Sequence, residues 1–369
     1  MRELQIRNEE ARTRRKPFGN GSHLCAATTQ FAKERFLISA DHYRRVFLLG
    51  SGFSKSFCPE MPTLKDLNGR IPDRIGTECL NLRNYCYWLR ELCRGEAEYL
   101  KIESVATNIL TAQIFSSEEA RLQNAILRFE LLRFITQSMH RTLPLSAEAS
   151  QILSQFLTAV SNDRKKACRE NLILSFNYDT LLEDQIQQDP HLFQTTAIDY
   201  GVSIERADRS ANQENRPKSV DLLKLHGSLN WYSIKGAGED LDLKNVCRVE
   251  PGDRSFPLYQ KDNPIFIPMA HAKDSFLRGS LFNVLWAKAD YFLSTADEIF
   301  VIGYGFPQTD GNCFPFLLKH RDRIRHVVVY ENPGDPTVLR LERLFDKGVV
   351  ICQDAKEFLQ TNLTLTQSR

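Results

Sequence analysis

Five apolar runs in this chain stop on residues able to do chemistry. "VFLL" breaks onto Gly50-Ser51-Gly52-Phe53-Ser54, and "LILSF" onto Asn177-Tyr178-Asp179. "DLLKL" breaks onto His226-Gly227-Ser228, "EIFVI" onto Gly303-Tyr304-Gly305, and "HVVVY" onto Glu331-Asn332-Pro333. A glycine pair between a strand and a helix lets backbone N–H groups face a phosphate at the helix N-terminus. Glu331-Asn332 suits ribose hydroxyls. Asn177 and Asp179 flank a tyrosine at alternate positions, so in an extended stretch both side chains face one way. An imidazole at a strand end, such as His226, suits general acid–base work near neutral pH. Each feature also has a plain structural reading. "GSGFS" lacks the full G-x-G-x-x-G spacing and fits a tight turn. Asn-Tyr-Asp fits an Asx turn with Asp179 or Thr180 as N-cap of "TLLEDQIQ", and a lone loop histidine can be purely structural.

The elements that must position these groups follow from the pattern of the runs. Near-continuous apolar stretches, each followed by turn residues, at 46–55, 171–180, 221–232, 298–310, 326–335 and 348–355 predict strands covered on both faces, as in a parallel sheet flanked by helices. "SFLRGSLFNVLWAKADYFLSTA" and "DPTVLRLERLFDK" are helices that fit between them. The prediction is an α/β fold, a Rossmann-like doubly wound parallel sheet, with ligands at the carboxyl ends of the strands. Between about 77 and 165 the pattern changes to apolar residues every three or four positions with almost no glycine. "CLNLRNYCYWLRELC", "EEARLQNAILRFELLRFITQSM" and "SAEASQILSQFLTAV" predict a helical insertion, with Ser117 and Glu119 near one helix start and Pro144 separating two helices. The polar segment from Arg206 to Lys218 predicts an exposed loop.

Composition bounds the function. With 369 residues, 42% hydrophobic, 25% charged and a net charge of +2, the chain is globular and no dedicated nucleic-acid binder. Residues 1–42 are expected to form a flexible arm carrying the one basic cluster, Arg12, Arg14, Arg15 and Lys16, before a single domain at 43–369. The cysteine count of nine is odd, and no C-x-x-C occurs, which argues against a zinc ribbon or disulfide framework. Cys79, Leu82, Cys86, Leu89 and Cys93 instead follow an apolar helical stripe. With no membrane-length apolar stretch and no leader, a soluble cytoplasmic protein is expected.

Taken in order, G-S-G-F-S, S-F-N-Y-D, K-L-H-G-S, G-Y-G-F-P-x-T-D and E-N-P resemble the sirtuin-like family, specifically its bacterial antiphage-defence branch. The resemblance spans about residues 45–355. It implies that NAD is bound on the Rossmann-type sheet, with Gly50, Ser51 and Gly52, followed by Phe53 and Ser54, cradling the pyrophosphate. Asn177 and Asp179 would hold the nicotinamide ribose and carboxamide, and His226 would be the catalytic histidine. Gly303, Tyr304 and Gly305 would form a second phosphate loop, with Asn332 near the adenosine ribose. Three departures stand out. The four-cysteine zinc module of the protein-deacylating members is missing, its place taken by the helical insertion, so no metal is expected. Gly305 stands where the family has Ser or Thr. No arginine follows the glycine loop near Pro62-Thr63-Leu64.

Cleavage of the N-glycosidic bond of NAD passes through an oxocarbenium-like transition state and releases neutral nicotinamide. The residues need only anchor the carboxamide (Asp179), orient a water (Asn177) and draw a proton from a ribose hydroxyl or that water (His226). The expected activity is NAD glycohydrolase, giving nicotinamide and ADP-ribose, as effector of an antiphage system. The alternatives are an NAD-dependent protein deacylase or ADP-ribosyltransferase, which needs an acceptor groove, and a non-catalytic NAD- or ADP-ribose-binding subunit. Because a free NADase is toxic, gating by homo-oligomerisation or by a separately encoded partner is expected. The family resemblance implies a HerA-type ATPase or a short Argonaute as that partner, with any nucleic-acid contact indirect.

Overall fold

Every residue from Val46 to Leu49 is at most 2% exposed, although alternate side chains of a strand face opposite ways. That strand must be covered on both faces, and the architecture follows from it. The computed structural model describes residues 43–68, 73, 75–94, 96–111, 117–139, 144–166, 168–206, 215–233, 246–249, 264–271, 273, 279–307, 310–311, 313–345 and 348–367. The expected 1–42 arm with its basic cluster, and most of the Arg206–Lys218 segment, lie outside these residues.

In chain order β1 (Arg45–Leu49) leads into α1 (Ser51–Phe57), then α2 (Leu64–Asn68), α3 (Leu80–Leu92), α4 (Ile102–Thr111), α5 (Glu118–Ser138), α6 (Ala147–Val160) and β2 (Asn162–Asp163). β3 (Asn171–Ser175), α7 (Leu181–Gln188), α8 (Pro190–Thr195), β4 (Thr196–Asp199), β5 (Glu205–Arg206), β6 (Lys218–Lys224), β7 (Trp231–Ser233) and β8 (Val246–Arg248) follow. The chain continues through α9 (Ser280–Thr295), β9 (Glu298–Ile302), α10 (Cys313–Leu318), β10 (Ile324–Val329), α11 (Pro336–Leu344), β11 (Val350–Cys352) and α12 (Ala355–Gln367).

The main sheet runs β11-β10-β9-β1-β3-β6, all parallel, with β4 parallel and β2 antiparallel on β6; β5, β8 and β7 form a second, small sheet. The fold is the expected Rossmann-like α/β sheet. Register matters most for function. Leu49 pairs with Ser175 and with Ile302, and Ser175 pairs with Lys224, so four strands end level. The residues just past them therefore meet.

The helical segment divides into two parts with different cores. Ala149, Ile152, Leu153, Phe156, Leu157 and Val160 of α6 join the main core, where Phe47 packs edge-on against Phe156 with ring centroids 5.6 Å apart. The inserted unit is thus α2 to α5, with its own apolar cluster of Leu67, Cys79, Leu82, Cys86, Leu89, Ile102, Val105, Ile109, Leu131, Phe134 and Ile135. Cys79 and Cys86 of the expected stripe lie in it as small apolar side chains, whereas Cys93, past the end of α3, is only partly buried and outside it; burial pushes the Cys79 thiol up to about 11 and that of Cys86 to about 12. A carboxylate completes the unit. Glu130 of α5 accepts from Leu82 N at 2.7 Å and Asn81 Nδ2 at 2.6 Å, supplying the N-terminal cap that α3 does not carry itself. Ser117 caps α5, its Oγ accepting from Ala120 N at 3.2 Å. Outside the cluster, Tyr87, Trp88 and Leu92 of α3 and Leu122, Ile126 and Phe129 of α5 are exposed, whereas Phe134 is buried.

Candidate active site

The two glycine turns answer to each other. Gly50 N donates to Ile302 O at 3.0 Å, Gly52 N to Gly303 O at 2.8 Å, and Gly303 N to Val328 O at 2.7 Å. A Cβ on Gly50 would lie 2.5 Å from Tyr304 Cα, and one on Gly303, which has φ +69°, would lie 2.0 Å from Phe53 N. No side chain fits between backbones that close. Glycine is required here for backbone-to-backbone contact. The N–H groups of Gly50 and Gly52 are accordingly engaged within the protein. Ser51 differs: it is exposed, opens α1, and by position its N–H has no partner inside the helix.

Ser54, one turn into α1, links the next two groups. Asn177 Nδ2 donates to Gly50 O and to Ser54 Oγ, each at 2.9 Å, and Ser54 Oγ donates to Asp179 Oδ2 at 2.7 Å. Asp179 Oδ1 accepts from Leu181 N at 3.1 Å, the Asx-type contact at the start of α7. With both amide hydrogens committed, Asn177 has Oδ1 left to offer a ligand. Beneath this loop lies Lys224, 1% exposed at the end of β6. Its ammonium donates to Asp179 O, to Tyr178 O at 3.4 Å and to Glu183 Oε1 at 3.2 Å, and Glu183 Oε1 also accepts from Tyr200 OH at 3.2 Å. A buried charge is tolerated only with such partners. The pair pins the Asn-Tyr-Asp backbone from below.

His226 follows β6 by two residues and is 3% exposed, with its ring edge-on to Phe176 at 5.0 Å between centroids. Burial, then the nearby Lys273 ammonium, push its pKa down to about 3 against the pull of Asp310, so the imidazole is neutral at pH 7. Its Nε2 lies 4.0 Å from Asp310 Oδ1. Asp310 is held by the Lys273 ammonium and by Tyr304 OH, the latter at 2.8 Å. Burial alone would raise the Asp310 pKa, yet it lies below its ordinary value with His226 and Lys273 facing it. Because His226 is neutral, the ammonium carries that effect at neutral pH. Among the described residues, His226, Asp310 and Cys313 alone bring metal-ligating atoms within 4.8 Å of one another. They fit a metal poorly: Lys273 already neutralises Asp310, and burial keeps the Cys313 thiol protonated.

These groups open on one cavity of about 560 Å³ at the carboxyl ends of the strands. Its lining includes His226, Asn177, Asp179, Ser51, Gly52, Ser54, Gly303, Tyr304 and Gly305. Three residues expected at the ligand are not in the lining. Gly50 serves the turn, Phe53 is 1% exposed in the core against Phe57 and Phe156, and Asn332 is exposed while its neighbour Glu331 lines the cavity. Lys273, Asp310, Arg340 and Glu103 also line it without having been singled out for a role. Asp310 closes the G-Y-G-F-P-x-T-D motif. Lys273 and Glu103 come from segments with no motif, although Glu103 carries a legible signal as a carboxylate within the apolar stripe of α4. Arg340 Nη2 donates to Gly305 O at 2.6 Å and to Phe306 O at 2.9 Å, bracing the second turn.

Fold and site together define an α/β protein with one cavity of about 560 Å³ over two glycine turns. No protein-family model matches the chain, and no curated protein does. Among solved structures it is similar in fold to one reported as "Structural Basis for the Mechanism and Regulation of Sir2 Enzymes", at 14% identity and a TM-score of 0.38, covering 88% of this chain and 92% of that one. It is also similar to "Sir2-p53 peptide-NAD+", at 12% identity and a TM-score of 0.37, covering 91% of this chain and 98% of that one.

Proposed function

We propose that the chain uses NAD as substrate and hydrolyses it to nicotinamide and ADP-ribose. The observation that carries this reading is the meeting of His226, Asn177 and Asp179 in one cavity beside two interlocked glycine turns. Ser51 at the start of α1 takes a phosphate oxygen through its free N–H, and Glu331, at the end of β10, takes ribose hydroxyls. Asn177 turns Oδ1 toward the reacting ribose, where a fixed dipole stabilises developing positive charge and holds the attacking water. Neutral His226 accepts the proton of a ribose hydroxyl or of that water. Asp310, 4.0 Å away, favours the imidazolium that results, against the opposing effects of burial and the Lys273 ammonium. Nicotinamide leaves neutral and needs no acid.

The same reading makes the chain the effector of an antiphage system, held in check by assembly. The exposed apolar residues of α3 and α5 support a homo-oligomer built on that face. A separately encoded partner, such as a HerA-type ATPase or a short Argonaute, fits the same gating role. No helix among the described residues is long and apolar enough to cross a membrane. The test is nicotinamide release from NAD by the purified chain, with and without an acyl-lysine peptide. Release independent of peptide supports hydrolysis; strict dependence on the peptide overturns it in favour of the deacylase.

A further inference from the structure

The family resemblance gives the nicotinamide carboxamide to Asp179, but both of that side chain's oxygens are already engaged. Oδ2 accepts from Ser54 Oγ at 2.7 Å and Oδ1 from Leu181 N at 3.1 Å. Each oxygen keeps a second lone pair, so a ligand N–H there would share its acceptor with the protein rather than have one to itself. Another carboxylate of the lining is differently placed. Glu103, in the first turn of α4, is 8% exposed, and its Oε2 is buried with no hydrogen-bond partner among the described residues. The cation two residues away acts on it only through space, because Lys101 Nζ gives its close contact to Glu98 Oε2 at 2.7 Å. Lys273 pairs with Asp310. A buried carboxylate oxygen without a donor is costly, and a ligand N–H repairs it.

Two sets of contacts connect the Glu103 turn of α4 to the loops that carry Asn177 and His226. Ile102, just before it, and Val105, two residues after it, share an apolar cluster with Tyr178, the centre of the Asn-Tyr-Asp loop. The segment beside it begins at Ile267, whose N–H donates to His226 O at 2.8 Å, and reaches His271, whose N–H donates to Thr107 Oγ1 at 2.8 Å, one turn along α4 from Glu103. Four residues of backbone separate those anchors, at most about 14 Å even if fully extended. From these contacts we propose that Glu103 accepts the N–H₂ of the nicotinamide carboxamide and sets the selectivity for an amide at that position. This rests on the reading of NAD as substrate. The inserted helical unit then contributes a specificity residue to the site as well as a cover.

The test compares NAD with nicotinic acid adenine dinucleotide, which replaces that amide by a carboxylate. Binding is measured by calorimetry and turnover by pyridine release, for wild type, Glu103→Gln and Asp179→Asn. A site built to take an N–H donor rejects an analogue that lacks it, and facing a carboxylate with a carboxylate adds repulsion. Wild type should favour NAD by at least about tenfold, and Glu103→Gln should bring the two dinucleotides within about threefold, chiefly through KM and Kd. Asp179→Asn should lower turnover while keeping the preference. A preference unchanged in Glu103→Gln and lost in Asp179→Asn overturns the assignment. So does a wild type that binds both dinucleotides equally, a result that needs no variant to fold. If wild type binds neither, the NAD reading itself falls along with this one.

Discussion

Ser54→Ala removes one oxygen and should disconnect the site. In the wild type Ser54 Oγ accepts from Asn177 Nδ2 at 2.9 Å and donates to Asp179 Oδ2 at 2.7 Å, and the residue is 3% exposed. A neutral hydrogen bond contributes about 1 kcal/mol and one to a carboxylate about 1.5–3 kcal/mol. Water entering from the adjacent cavity recovers part of this, which leaves a stability loss of about 1–2 kcal/mol. The fold survives, since the core packing of α1 through Phe53 and Phe57 is untouched. Catalysis is affected more. The Asn177 amide keeps only its bond to Gly50 O and the Asp179 carboxylate only that from Leu181 N, and misplacement of about 1 Å costs on the order of 10²-fold. Thermal denaturation should show a fall of a few degrees, and steady-state nicotinamide release a fall of about 10²-fold in kcat/KM. A variant folded as expected but within threefold of wild type would refute the role of Ser54 as the link between the two side chains.

Three further outcomes follow from the geometry. Gly303→Ala combines φ +69° with a Cβ 2.0 Å from Phe53 N, so it should lower the melting temperature by more than ten degrees or prevent folding; Gly305→Ala, whose nearest neighbour is Thr337 Cγ2 at 3.6 Å, should change stability by less than about 0.5 kcal/mol in the same melt. Lys224→Met alone strands buried Glu183 and should cost about 3–5 kcal/mol, whereas Lys224→Met/Glu183→Leu should regain most of that in urea unfolding yet still release nicotinamide at least about tenfold more slowly, because the loop carbonyls remain unclamped. Folded His226, with a pKa of about 3 set by burial and Lys273, stays unprotonated where the unfolded chain's histidine, at 6.5, takes a proton. Acid therefore favours unfolding between those values, by about 2 kcal/mol at pH 5, and His226→Gln should lose less stability from pH 7 to pH 5 than wild type does. Asp221, raised to about 6 by burial, acts in the opposite direction in both proteins and cancels in that comparison.

The strands were legible because they are covered on both faces and read as unbroken apolar runs, and their level ends place Asn177, His226 and the glycine turns together. The reason for the glycines was not legible. Sequence suggests a ligand's phosphate, whereas the structure has Gly50 and Gly52 meeting the backbone of Gly303 and Tyr304. β4, β5, β7 and β8 escaped because runs of two to four residues carry no periodicity. α6 was read with the insertion because helical spacing does not reveal which core a helix joins. The Lys273–Asp310 pair is 37 residues apart in sequence and meets only through the fold. Lys224 could have been noticed as a charge inside "DLLKL", and Glu103 as a charge inside "IESVATNIL". Buried charges in apolar patterns are rarely idle.

His226 and Asn177 are the residues proposed to act on the glycosidic bond of NAD. The decisive measurement is chromatographic quantification of nicotinamide and ADP-ribose formed from NAD by wild type, His226→Ala and Asn177→Ala, at matched NAD occupancy. Wild type should form the two products in equal amounts, and each variant should be slower by about two to four orders of magnitude with its melting temperature retained. A His226→Ala protein that hydrolyses NAD at the wild-type rate would contradict the account.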